Sequence, residues 1–146
     1  SDVYKRQVRR LLWYPLVIAV DSSALVAIVL GEPDAESLLD AIRAESAVVS
    51  AATILEASIV VEARQGPDAT RDLDLLVSGA IDEVVDFDAA HAAAALVAWR
   101  RFGKGRHPAG LNFGDCLSYA TAQLRGVPLL FIGEDFIKTD IPVARR

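Results

Sequence analysis

The chain of 146 residues is 53% apolar and 24% charged, with a formal net charge of −5. That balance suits one compact domain with its own core and excludes a disordered or low-complexity chain. Its apolar runs are short and broken by charges, none reaching the ~20 residues that a membrane-spanning helix needs. The acidic balance also argues against attraction of the whole surface to polyanions. A single cysteine, Cys116, excludes an internal disulfide, no Cys or His spacing suits zinc, and one thiol fits a reducing cytoplasm.

The opening stretch SDVYKRQVRRLLWYP mixes cations with aromatics and ends at Pro15. It is too short and interrupted for a secretory segment, and the chain contains no methionine. Residues 1–15 therefore read as an extension, non-native or disordered, and residues 16–146 as the domain. LVIAV (Leu16 to Val20) has the length and β-branched content of a buried parallel strand and stops at Asp21. SSALVAIVL predicts a helix broken at Gly31 and Pro33, and a second helix restarts with Asp34 as its cap. AVVS (Ala47 to Ser50) is a second strand, followed by a helix through Glu56 to Gly66 and another after Pro67, capped by Asp68. DEVVDF predicts a third strand, and DAAHAAAALVAWRRFG a long Ala-rich helix ending at Gly103. FGDCLSYATAQLRG predicts a helix closed by Gly126, and PLLFIG (Pro128 to Gly133) the last strand. Short strands alternating with helices of this length predict an α/β fold whose parallel sheet is covered on both faces.

Ligands of such sheets sit beyond the carboxyl ends of the strands. Asp21 follows the first strand, Glu56 lies early in the helix after the second, Asp115 opens a helix, and Glu134 and Asp135 follow the last strand. Each has a structural explanation: Thr53 to Glu56 and Asn112 to Asp115 carry capping-box spacing, and an acid near a helix N-terminus gains ~0.3–1 kcal/mol from the macrodipole. Asp21 is the hardest to explain that way, because it directly follows a buried strand. If the acids converge, two charges ~4 Å apart at an effective dielectric of ~20 repel by roughly 4 kcal/mol. No Lys or Arg adjoins Asp21, Glu56 or Asp115 in sequence, so a divalent cation is the economical partner. Oxygen ligands without imidazole or thiolate select Mg²⁺ or Mn²⁺ over zinc. Such an ion activates water and offsets charge on a phosphate oxygen, as phosphodiester hydrolysis requires.

Competing acid-rich or hydrolytic sites fit less well. A haloacid-dehalogenase phosphatase wants a second Asp where Ser23 stands; a receiver domain wants an acid pair first and a lysine last, against Gly133-Glu134-Asp135 here. Neither a phosphate loop nor a dinucleotide fingerprint is present, and His91 and His107 have no nucleophile elbow nearby. WRRFGKGRH (Trp99 to His107) departs from the acidic balance, placing Arg100, Arg101, Lys104 and Arg106 at a helix end and a glycine-hinged loop before Asp115. Cations there suit the helix dipole, and beside an acidic metal site they also suit a clamp on a phosphate backbone. SALVAIVL and ILEASIVVEA carry more aliphatics than one buried face requires, as a dimer or partner groove would use and as helices buried on two sides would equally.

Four blocks, VIAVDSSALVAIVLGEPDA, the helix with Glu56, RFGKGRHPAGLNFGDCLSYATA and PLLFIGEDFIKTDI, taken together resemble the PIN-domain ribonucleases, specifically the VapC toxins of toxin–antitoxin pairs. The resemblance runs from about Val17 to the C-terminus. It implies a PIN-like three-layer α/β/α fold with four or five short parallel strands, and a Mg²⁺-dependent endoribonuclease acting on tRNA, rRNA or mRNA. It further implies a homodimer neutralised by a cognate VapB antitoxin. Carried over by position, Asp21, Glu56, Asp115 and Asp135 form the acidic quartet, Asp21 and Asp115 being the most direct metal ligands, and Ser23 orients an acid or a metal-bound water. The chain departs from the pattern at Phe131-Ile132-Gly133, where many members carry a Thr or Ser, so the fourth acid is Asp135, Glu134 or Asp140. The alternative function is a catalytically silent PIN fold that binds RNA or a protein.

Overall fold

The computed structural model describes residues 2–4, 7 and 16–146. The expectation for residues 1–15 falls mostly on positions outside the described residues; those described in that stretch, 2–4 and 7, are helical. From Leu16 onward the elements run β1 (Val17–Val20), α1 (Ser22–Leu30), α2 (Ala35–Ala44), β2 (Ser46–Ser50), α3 (Ala51–Gln65) and α4 (Pro67–Ala80). Then come β3 (Glu83–Val85), α5 (Ala89–Phe102), α6 (Phe113–Arg125), β4 (Leu129–Leu130) and a single 3₁₀ turn at Phe136–Lys138.

All pairings in the sheet are parallel, and the strand order is β3-β2-β1-β4. Side chains alternate across each strand, which sorts the core into two halves. Ile18, Val20, Val49 and Leu130 face α1 to α4, where Leu25, Leu38, Ile42, Val61 and Leu73 are fully buried. Ala19, Val48, Val85, Leu129 and Phe131 face the opposite layer, formed by Ala98 and Phe102 of α5 and Cys116, Tyr119 and Ala120 of α6. Three layers result, as the resemblance implies.

Connections from β1 to β2 and from β2 to β3 step in one direction, whereas α5 and α6 carry the chain back to the far side of β1. The gap beyond the carboxyl ends of β1 and β4 is therefore the switch point at which open α/β sheets bind ligands. Asp21 and the segment after β4 meet there.

Several local expectations change. Asp34 makes no side-chain cap bond, and α4 starts at Pro67 after Gly66 with no side-chain cap, so Asp68 lies inside the helix. The six-residue run at Pro128 to Gly133 contributes a two-residue strand. Its apolarity comes from burial in both halves of the core rather than from a long ladder. A fifth strand is represented by an isolated bridge, Leu129 to Val143, where the C-terminal segment lies along β4.

Candidate active site

Asp21 leaves β1 in extended conformation and caps α1, its Oδ2 accepting from the Ser23 backbone N–H at 3.1 Å. Only 3% of its surface is exposed. Its Oδ1 accepts from the Ser118 hydroxyl at 2.5 Å, and Ser118 lies 3.4 Å from the hydroxyl of the fully buried Thr53. A buried carboxylate survives only with such donors. The Ser23 side chain takes a different part: its hydroxyl accepts from the Ile132 N–H at 3.0 Å, tying the end of β4 to α1. Ser23 thus meets the acid through its backbone N–H and not through its hydroxyl.

Glu56 is not the partner of a capping box. Ser50 caps α3 by accepting from Ala52 N–H at 3.1 Å, so Thr53 is already inside the helix and Glu56 sits on its second turn. That turn aims the carboxylate at α6, where Gly114 admits it: a Cβ at position 114 would stand 1.7 Å from Glu56 Oε2. Oε1 is buried and has no hydrogen-bond partner. Burial, with the Asp21 charge added, raises the Glu56 pKa above its ordinary value, partly offset by a hydrogen bond with Ser22.

Asp115 does form a capping box. Asn112 accepts from Asp115 N–H at 2.8 Å, and Asp115 Oδ2 accepts from Asn112 N–H at 3.0 Å. Burial pushes the Asp115 pKa up to about 6, and the charges of Asp21, Asp135 and Glu56 push the same way, against the lowering effect of the Asn112 N–H. Asp135 is exposed at the start of the 3₁₀ turn. Among the three alternatives for the fourth acid, Asp135 is the one whose charge reaches Asp115. Asp140 is engaged elsewhere, accepting from the Tyr119 hydroxyl and pairing with Arg101 at 3.2 Å, contacts that hold its pKa below the ordinary carboxylate value.

Among the described residues no three His, Cys, Asp or Glu side chains are gathered closely enough to form a ready-made cage. The residues nonetheless suit a hard divalent cation. The donors are all oxygens, one buried oxygen lacks a partner, and the acids repel one another. Mg²⁺ in particular keeps several waters and needs only one or two carboxylates.

The basic segment is pinned rather than hinged. Lys104 N–H reaches Leu111 O at 3.0 Å, Leu111 N–H reaches Phe102 O at 2.9 Å, and Arg106 N–H reaches Gly103 O at 2.9 Å. Arg101 is held by Asp140; the Arg106 guanidinium lies over the Trp99 ring at 4.7 Å while its Nε donates to Arg100 O. Arg100 and Lys104 are exposed.

Sequence reasoning missed Ser118 and Gly114 and read Thr53 as a helix cap. The available signal for Ser118 was a hydroxyl one helical turn after Asp115.

The chain matches the family model described as PIN domain over residues 18–142. It is 50% identical over 125 residues to a ribonuclease VapC of Mycolicibacterium smegmatis, covering 85% of this chain and 97% of that protein. The chain belongs to the VapC family of PIN-domain ribonucleases. Ribonuclease VapC30 of Mycobacterium tuberculosis is 49% identical over 125 residues, covering 85% of this chain and 95% of its own. Solved VapC structures carry the same fold at low identity. Mycobacterium tuberculosis VapC20, described as a sarcin-ricin loop cleaving toxin, has a TM-score of 0.72 at 17% identity, covering 88% of this chain and 99% of that one. Rickettsia felis VapBC2, solved with a DNA fragment from its promoter, gives 0.68 at 13% identity, covering 87% and 96%. No described helix of this VapC-family chain is long and apolar enough to cross a membrane.

Proposed function

We propose that this chain is a divalent-metal-dependent endoribonuclease toxin of the VapC kind, with Mg²⁺ as its ion and Mn²⁺ as a substitute. The observation that carries the reading is the cluster itself: the charges of Asp21, Asp135 and Glu56 all bear on Asp115, that of Asp21 bears on Glu56 as well, and Glu56 Oε1 is buried without a donor. A divalent cation, when bound, lowers the pKa of a water molecule and offsets charge on a phosphate oxygen.

Asp21 and Asp115 would hold the cation. Asp21 is fixed by Ser118 and Ser23, and Asp115 by the Asn112 N–H. Glu56 Oε1, with no donor of its own and a raised pKa, accepts a proton from the attacking water. Asp135 completes the quartet from the exposed side. Exposed Lys104 and Arg100 contact the RNA phosphates, while Arg101 and Arg106 reach them from positions set by Asp140 and Trp99.

The relatives' toxin–antitoxin context supports a cognate VapB-type antitoxin as partner, a homodimer as the working form and the cytoplasm as its place. Exposed Leu55 and Ile59, one turn apart on α3, are apolar surface of the kind such a partner covers. Incubation of purified protein with a tRNA and rRNA preparation tests the activity. Cutting in Mg²⁺ or Mn²⁺ that stops in EDTA is expected; folded protein that leaves all RNA intact would favour the silent binding module.

A further inference from the structure

Outside the acid cluster, a groove of about 630 Å³ opens between α5 and the start of α6. Phe87, Leu96, Trp99 and Phe113 line it with aromatic and aliphatic surface, and Lys104 is the charged residue on its wall. Asn112 also lines it, and Asn112 is the residue whose side chain caps Asp115. Groove and acid are thus joined through one side chain, and Phe113 stands two residues from Asp115, at most about 7 Å of chain.

Folding does not account for Phe113. It is 81% exposed at the first position of a helix whose next turns are buried. Trp99 is 42% exposed and already carries the Arg106 guanidinium over its ring. On a chain of net charge −5, a wall of exposed aromatics with Lys104 within it and Arg106 beside it matches a ligand that is flat, apolar on its faces and anionic along its backbone. The volume lies in the range of small-molecule sites and holds a nucleobase with room for its sugar.

We infer that this groove takes one unpaired base of the RNA strand adjacent to the phosphate at the acid cluster, stacked on Phe113 and Trp99, with Lys104 on the neighbouring phosphate. The inference rests on the ribonuclease reading above and adds a specificity subsite to it. An RNA whose flanking base stays paired in a helix does not fill the groove, so the subsite selects loops and single strands.

The test measures binding of a fluorescent single-stranded RNA of about twelve nucleotides, with EDTA present to prevent cutting, to the full chain and to Phe113→Ala and Leu75→Ala. Both residues are well exposed, so neither change threatens the core. Phe113→Ala is expected to weaken binding roughly tenfold, the loss of one stacked base, while Leu75→Ala leaves it unchanged and Phe113→Trp restores it. Removing single bases from the RNA should reveal one position where the wild type loses about as much and Phe113→Ala loses nothing further. If Phe113→Ala binds RNA like the wild type, the proposal is wrong while the ribonuclease reading stands. Unchanged RNA affinity with loss of the dimer in sedimentation would make the groove a contact between copies, also overturning it. A wild type that neither binds nor cuts RNA overturns the reading and this inference with it.

Discussion

Asp115→Asn should stabilise the metal-free protein at neutral pH. In the folded chain the Asp115 pKa stands at about 6 against an ordinary 3.8, so the folded state holds its proton where the unfolded state has released it. Stability then falls as pH rises from about 4 to 6, and the cost is fully present above 6. That displacement corresponds to ~3 kcal/mol at 1.36 kcal/mol per pKa unit. Asp115 is only half-buried, so solvent screening reduces the figure to roughly half. Neutralisation also forfeits ~0.3–1 kcal/mol of macrodipole stabilisation. About 1 kcal/mol remains, or roughly 3 °C in melting temperature for a domain of this size. Asparagine keeps an oxygen to accept from the Asn112 N–H, so the capping box survives the change. Thermal unfolding in EDTA, scanned from pH 4 to 8, should show the variant gaining on the wild type through that window and matching it at pH 4. A variant less stable at every pH would show that capping, not charge crowding, governs this position, and the reasoning would fail.

Gly114→Ala drives a Cβ to 1.7 Å from Glu56 Oε2, so the carboxylate must leave its place; RNA cleavage is expected to fall ~100-fold, as for a 1 Å misplacement of a reacting group, with circular dichroism unchanged. Ser118→Ala removes a donor from the buried Asp21 carboxylate and should cost about 1.5–3 kcal/mol in urea unfolding without metal. Lys104→Ala should lower the slope of RNA affinity against salt concentration by about one. Arg101→Ala, whose guanidinium is already paired with Asp140, should change that slope less; equal effects would show that the ion pair opens on binding.

The layered fold was legible because each strand carries its own burial record. Leu16 to Val20 and Ala47 to Ser50 read as buried strands, and the strands found there, Val17–Val20 and Ser46–Ser50, are buried at all but their first residue. Pairing was harder to read than burial: Phe131 is buried beyond the end of β4 because both core halves close over that segment. The candidate acids stood out by their places after strands and at helix starts, and Asp115 makes the capping box that its spacing to Asn112 suggested. Their supports did not stand out. Ser118 is 97 positions from Asp21, and Gly114 is 58 from Glu56. Only the packing of α6 across the sheet brings those pairs together, and no local pattern encodes it. Thr53 misled for a related reason: its spacing to Glu56 imitates a capping box, but Ser50 takes the cap and Thr53 turns inward toward Ser118.

The central claim, that this acid cluster is the metal-dependent cutting site, is tested most directly by the initial rate of RNA cleavage as Mg²⁺ is titrated, for wild type and Asp115→Asn side by side. The account predicts a wild-type rate that rises with Mg²⁺ and saturates, and a folded variant at least ~100-fold slower at every concentration. Equal rates for the two proteins, or cutting by the wild type that persists without divalent metal, would contradict it.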